Sequence, residues 1–224
     1  MKRCIIYHIL CLFFCCAIVA QTSSYSTYYY QRATLFEQLP ITNQDIVFVG
    51  NSITDGGEWS ELFSDARIKN RGISGDISMG VYDRLDAIVN GQPRQIFLMI
   101  GINDLARDIS TDSIVANIER IICKIQCSSP RTLIYLQSVL PVNDCFGAFQ
   151  NHTKHAGEIK NLNNKLFALT KKRDITFVDL YTHFVIPGTE KMNPEFTNDG
   201  LHLLEKGYLK WAELIKPYIL EPRK

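Results

Sequence analysis

The chain has 224 residues, a net charge of +1, 46% hydrophobic and 21% charged residues, and seven cysteines. These proportions exclude collagen-like, coiled-coil and disordered chains and suit one medium-sized domain with a sizeable core. With 24 basic against 23 acidic residues, no electrostatic footprint for nucleic acid or an anionic membrane surface is present.

The first element in chain order is an address. Lys2 and Arg3, the nearly uncharged run Ile5 to Ala20 and the small residue at its end have the charged, apolar and cleavage regions of a secretory signal peptide. Residues 1–20 are therefore expected to be removed after Ala20, giving an exported (periplasmic or secreted) chain that begins near Gln21 and makes no stable membrane insertion. An uncleaved anchor is the alternative, although the run is short for a span of roughly 20 residues. Lipid attachment is disfavoured because bulky Phe13 and Phe14 precede Cys15 and Cys16. The expected product has 22 basic and 23 acidic residues and keeps Cys123, Cys127 and Cys145. Cys123 and Cys127 lie one helical turn apart, a spacing that disfavours an unstrained bridge. A bridge from Cys145 to either stays open, but buried or idle thiols are expected.

A Tyr-rich lead, residues 21–44, carries Tyr25, Tyr28, Tyr29 and Tyr30. Docking of this lead against the domain is favoured over stacking on sugar rings, because large aromatics are usually used in packing. The domain proper, residues 45–224, shows five short buried-strand patterns: Asp45 to Val49, Arg67 to Asn70, Gln95 to Ile100, Thr132 to Gln137 and Ile175 to Asp179. Three amphipathic stripes lie between or after them. They are Ile114, Ile118, Ile121, Ile122 and Ile125; Ile159, Leu162, Leu166 and Leu169; and Leu204, Tyr208, Trp211, Ile215 and Tyr218. Strands alternating with such helices predict a three-layer α/β/α sandwich around a five-stranded, mainly parallel sheet. In an open sheet of this kind, ligand sites lie beyond the carboxyl ends of the strands.

Chemistry-bearing residues gather in those places. The first strand runs into Gly50-Asn51-Ser52, a turn that holds a serine hydroxyl up at the sheet edge with a free amide behind it. Taken alone it is ordinary turn chemistry. The second strand leads to Gly72 through Asp76 and the third to Gly101-Ile102-Asn103-Asp104, where backbone amides and an Asn side chain can face one cleft as neutral donors for a developing oxyanion. Just before the last helix, Asp199 stands three residues ahead of His202, so the carboxylate can take the Nδ1 proton and leave Nε2 as a base. Each segment alone is a turn; the four together, in this order, are improbable by chance.

These four blocks resemble those of the SGNH (GDSL-type) esterase and lipase superfamily, over residues 45 to 215. The runs GNSIT, NRGISGD and GINDL are most similar to the branch of platelet-activating-factor acetylhydrolase-like and bacterial carbohydrate (sialate-type) O-acetylesterases. The resemblance implies a flavodoxin-like SGNH fold, with Ser52 as nucleophile, His202 as general base and then acid, and Asp199 orienting His202. The Ser52 amide, the Gly75 amide and the Asn103 side chain would form the oxyanion hole; alignment through Gly-x-x-Gly-Asp favours Gly75 over Gly72. Asn51 stands where the family most often has Asp, which puts local hydrogen bonding and the pH response of the site in question.

The expected function is hydrolysis of short acyl esters, acetyl first, on carbohydrate or another small ester, with no metal or organic cofactor. Two alternatives are a lysophospholipase or lipid acyl esterase and, in a different class, a noncatalytic flavodoxin-like binding domain. His152 and His155, with Asp144 and Cys145 nearby, read as a polar loop entering a helix, since no fourth metal ligand falls at a suitable spacing. Trp59, Phe146 and Phe149 are candidates for the pocket wall, with a core role equally open for Trp59. Lys171-Lys172-Arg173 suits the carboxyl end of a helix rather than a binding patch.

Overall fold

The computed structural model describes residues 25–219. The expected signal peptide lies outside them. Five strands form the sheet: β1 Ile46–Gly50, β2 Ile68–Gly72, β3 Gln95–Met99, β4 Leu133–Gln137 and β5 Thr176–Val178. Their order is β2-β1-β3-β4-β5 and every neighbouring pair is parallel. β1 and β3 are buried along their whole length, which is why they read as unbroken apolar runs: helices cover both faces of a central parallel strand. The edge strands differ. β2 leaves Lys69 and Asn70 half-buried, and β5 exposes Thr176, so neither is the fully buried strand the sequence suggests.

The chain goes from β1 out to β2 and then returns past β1 to β3. The connections leaving β1 and β3 therefore diverge, opening a crevice at the carboxyl edge of the sheet. Below the crevice a row of aromatic rings fills one face. Phe48 stacks on Trp59 (4.5 Å between centroids) and on Phe97 (5.0 Å), and Phe97 on Tyr135 (4.6 Å). Trp59 is buried and donates from its indole to the Thr54 carbonyl (2.8 Å), so it belongs to the core and not to a pocket wall.

The helical stripes pack as their periodicity requires. In Thr111–Ser128 all five stripe isoleucines are buried, with Ser110 capping the first turn, and in Ala156–Arg173 Ile159, Leu162, Leu166 and Leu169 are buried. These two helices pack against each other. The last helix, Glu205–Ile215, buries Trp211 and Ile215, but Leu204 is its exposed cap residue and Tyr218 lies past its end in a 3-10 turn. Pro217 has no N–H for the ladder, so the helix does not continue that far. Among the described residues no helix is long and apolar enough to cross a membrane.

The Tyr-rich lead contains a helix, Thr27–Gln38, that the sequence pattern does not announce. It buries only Tyr29, Ala33 and Phe36, a narrow stripe on an otherwise polar helix. Ser26 caps it by accepting from the Tyr29 N–H (3.1 Å). Tyr29 and Phe36 cluster with Ile73, and the Tyr29 hydroxyl donates to the Gly80 carbonyl (2.9 Å). Guanidinium groups of Arg32 and Arg71 lie 4.7 and 4.8 Å from the Phe36 ring centre, within cation–π range. The lead is thus a buttress behind the loop that follows β2.

The two long loops, Val139 to Thr153 and Leu180 to Phe196, are joined to each other. Val142 bridges Lys191, the Asn143 side chain donates to the Met192 carbonyl (2.7 Å), and Lys191 pairs with Asp144 (2.6 Å). Cys123, Cys127 and Cys145 are all unpaired thiols. Cys127 and Cys145 are exposed and Cys123 is half-buried, so of the two expected states, buried or idle, burial is not what the structure has.

Candidate active site

β1 ends at Gly50, and the next element is a single helical turn, Ser52–Asp55. Asn51 caps that turn, its side-chain oxygen accepting from the Ile53 N–H (3.1 Å). An Asn and an Asp offer the same acceptor there, so the departure from the usual aspartate keeps this bond. Ser52 is the first helical residue, half-buried, with its hydroxyl toward the crevice. The turn is clamped at its other end. The Asn70 side chain donates to the carbonyls of Thr54, Asp55 and Gly57 (3.0, 3.0 and 2.9 Å). Gly72 is required on the same side, because a Cβ there would strike the backbone of Asp55. Asp55 in turn receives the Ser74 N–H and hydroxyl and the Tyr28 hydroxyl. Neither Asn70 nor Asp55 stands out in the sequence; only their distant partners reveal them.

His202 arrives from the opposite end of the chain. Its Nε2 is 3.0 Å from Ser52 Oγ and its Nδ1 2.8 Å from Asp199 Oδ2. The other Asp199 oxygen accepts from the Leu201 and His202 N–H groups, both at 2.8 Å. Burial alone would raise the Asp199 pKa, but the hydrogen bonds from Leu201 N–H and from the ring and backbone of His202 outweigh it and hold the carboxyl below its ordinary value. It is therefore anionic at neutral pH and suited to stabilising an imidazolium. The local turn is built on Thr197, whose hydroxyl accepts from the Gly200 N–H (2.9 Å). Gly200 has φ +84°, and a Cβ there would collide with the Asn143 carbonyl, so this position requires glycine.

Three donors surround the same crevice. The Ser52 N–H sits at the start of its helix, where no intrahelical acceptor exists. Gly75 is exposed, with φ +78° and open space where a Cβ would be. Asn103, from the turn Ile102–Leu105 after β3, is buried and donates one amide hydrogen to the Asp76 carbonyl (2.8 Å), leaving its second hydrogen free to serve a ligand. Next to it, buried Asp104 accepts from the Ser78 N–H (3.0 and 3.1 Å) and hydroxyl. Burial raises the Asp104 pKa against the lowering effect of those Ser78 bonds. These bonds tie the loop after β2 to the turn after β3, so Gly75 and Asn103 are held in fixed relation.

A GDSL-like lipase/acylhydrolase family model matches residues 48–210, a span that includes all five of these residues. The chain belongs to that family. It is 25% identical over 184 residues to platelet-activating factor acetylhydrolase IB subunit alpha2 of Rattus norvegicus, covering 79% of this chain and 76% of the relative. A GDSL-like lipase from Bacteroides thetaiotaomicron has a TM-score of 0.73 and 27% identity, over 85% of this chain and 96% of that one. An acetyl-xylooligosaccharide esterase from Geobacillus shares the fold at a TM-score of 0.63 and 17% identity, over 82% and 98% of the two chains. The protein is a serine ester hydrolase of the GDSL type, and the noncatalytic flavodoxin-like alternative falls away.

In this GDSL-like hydrolase the loop after β4 also reaches the site. Phe149 presents its ring edge-on to His202 (4.9 Å between centroids) and to His152 (5.7 Å), and is exposed. Its φ of 49° is a left-handed conformation that costs an L-residue about 1–2 kcal/mol. Phe146 is exposed nearby, its ring close to where a Gly200 Cβ would be. Phe149 thus borders the site beside His202. The four residues weighed as a metal set do not converge: Asp144 pairs with Lys191, His155 with Asp108 and Glu158, and His152 with Asn103. Among the described residues no cluster of three potential ligands occurs. The contact of His152 with Asn103, like those of Asn70 and Asp55, is a part of the site that sequence reasoning missed, since nothing local marks a histidine whose partner is 49 positions away.

Proposed function

We propose that this hydrolase removes acetyl groups from O-acetylated carbohydrate, with Ser52 as nucleophile, His202 as proton carrier and Asp199 as its orienting anion. The observation that carries the catalytic part is the hydrogen-bonded series Ser52–His202–Asp199, at 3.0 and 2.8 Å. Ser52 Oγ attacks the ester carbonyl as its proton passes to His202 Nε2. The negative charge on the carbonyl oxygen is met by the Ser52 and Gly75 N–H groups and the free Asn103 N–H. Collapse breaks the bond to the sugar oxygen, which leaves with the proton from His202. Water, deprotonated by His202, then attacks the acyl-serine, and acetate leaves as Ser52 regains its proton. This chain's residues supply every proton transfer.

The acetyl preference rests on the surroundings. The joined loops at the site expose Asp144, Gln150, Asn151, Glu190 and Lys191, a polar rim suited to a hydroxyl-rich leaving group and poor at desolvating a long acyl chain. The rat relative named as an acetylhydrolase points the same way. Export after Ala20 belongs to this proposal, since polymeric glycans do not cross membranes. A series of p-nitrophenyl esters of increasing chain length, run beside acetylated sugars, tests it. A maximum at acetate with acetate released from a sugar is expected, whereas an optimum at long chains would transfer the enzyme to the lipid acyl esterases.

Asn103→Ala tests the donor set. Removing one oxyanion donor typically costs about 10² to 10³ in kcat, and that loss is expected here with KM little changed. An unchanged kcat removes Asn103 from the hole.

A further inference from the structure

We propose that His152 is a positioning residue for the oxyanion hole, donating from Nε2 to Asn103 Oδ1 and so locking the amide with its free N–H toward the reacting carbonyl. This rests on the reading of Asn103 as an oxyanion donor. The contact is 2.9 Å, and its direction follows from its neighbours. The Asp76 carbonyl can only accept, so the amide end at 2.8 Å from it is Nδ2. Oδ1 therefore faces His152, and because an amide oxygen can only accept, His152 Nε2 carries the hydrogen. Nδ1 then holds the lone pair. It is buried and has no hydrogen-bond partner among the described residues, so a second proton there would be left without an acceptor.

The surroundings keep this histidine neutral. Burial first, then the nearby His202 and His155, push its pKa below the ordinary value. A neutral ring with a fixed tautomer is a directional donor and adds no positive charge beside the imidazolium that His202 becomes. The hydrogen bond does two things for Asn103. It prevents the amide from turning over, which would present an oxygen to the oxyanion. It also polarises the amide, making the remaining N–H a better donor.

The fold holds His152 in place by one helical turn, Gln150–Thr153, which packs against the turn bearing Asn103. The His152 and Thr153 N–H groups both donate to the Phe149 carbonyl (2.8 and 3.0 Å). Phe149 touches His202 as well. The loop after β4 thus braces the general base with one residue and the oxyanion donor with another.

A double-mutant cycle reads the effect. His152→Phe keeps a ring but loses the donor, and kcat for p-nitrophenyl acetate should fall about tenfold with KM within twofold, less than the ~10² expected for deleting the Asn103 donor. His152→Gln, which restores an N–H, should recover most of the loss. In an Asn103→Ala background the His152→Phe change should have no further effect, because the group it positions is gone. Labelling of Ser52 by an organophosphonate should persist in both His152 variants, showing that the site still folds. Wild-type kcat in His152→Phe overturns the assignment. So does a loss of equal size with and without Asn103, which would mean that His152 acts elsewhere. If Asn103→Ala itself has wild-type kcat, the oxyanion reading fails and takes this inference with it.

Discussion

Ser52→Ala is expected to lose at least about 10⁴ in kcat for acetate esters while its melting temperature stays within a degree or two of the parent. The size follows from the arrangement. The Ser52 hydroxyl lies 3.0 Å from His202 Nε2, and a nucleophile and its base act as a unit, so removing one disables both. What should remain is substrate binding and the proposed oxyanion stabilisation by the Gly75 and Asn103 donors and by the Ser52 backbone N–H, which alanine keeps. The fold should not respond, because the side chain is half-buried at a helix start and, among the described residues, is no member of the hydrophobic core. Turnover of p-nitrophenyl acetate, a thermal melt, and mass analysis after organophosphonate treatment check the three parts. The parent should gain one phosphonyl group on Ser52 and the variant none. Substantial turnover in the variant would remove Ser52 from the chemistry.

Arg84→Leu is expected to have the largest effect on stability. Arg84 Nε lies 2.8 Å from Asp76 Oδ2, with side-chain exposures of 4% and 0%, and its Nη2 donates to the Gly50 carbonyl (3.2 Å). Burial pushes the Asp76 pKa up to about 6, with the Arg84 charge and hydrogen bond working against that rise. Deleting the cation leaves a buried carboxylate unpaired, a change that costs about 3–5 kcal/mol. For a domain of this size that corresponds to a melting temperature lower by roughly 6–20 °C. The sign with pH is specific. A carboxyl with a folded pKa above its unfolded value contributes most to stability when protonated, and that contribution is lost as pH rises through the folded pKa. The deficit of the variant against the parent should therefore be largest near pH 8 and shrink toward pH 5, where Asp76 is protonated and no longer needs a partner. Denaturant titrations at the two values decide it; equal stability at pH 8 would show that the pair contributes nothing. Activity should fall with stability, because the Asp76 carbonyl is what the Asn103 amide rests on.

Much of this molecule is legible from local pattern. β1 and β3 are recognisable because strands covered on both faces must be apolar at every position, and the helices Thr111–Ser128 and Ala156–Arg173 because one covered face leaves a stripe of period 3.6. The helix Thr27–Gln38 escapes the same test, since a helix that buries three residues on a polar background has almost no stripe to read. Leu204 fails it in the other direction: it continues an apolar spacing but sits one residue outside the helix, exposed, as its cap. Trp59 could be assigned to wall or core only once its stacking on Phe48 was known.

The site divides in the same way. Local turn chemistry puts glycine and short polar residues at the strand ends and Asp199 three residues ahead of His202, but it was the joint resemblance of the four blocks to one family that singled out Ser52, Gly75, Asn103, Asp199 and His202. The tertiary structure decided the rest. It brings Ser52 and His202 together across 150 positions, clamps the Ser52 helical turn with Asn70 from β2, and fixes the Asn103 amide between the Asp76 carbonyl and His152. Local residue preferences act over a few positions, whereas hydrogen bonds form only within about 3 Å. Which groups come that close is a property of how the strands are ordered and the loops joined, and no segment of the chain carries that information by itself.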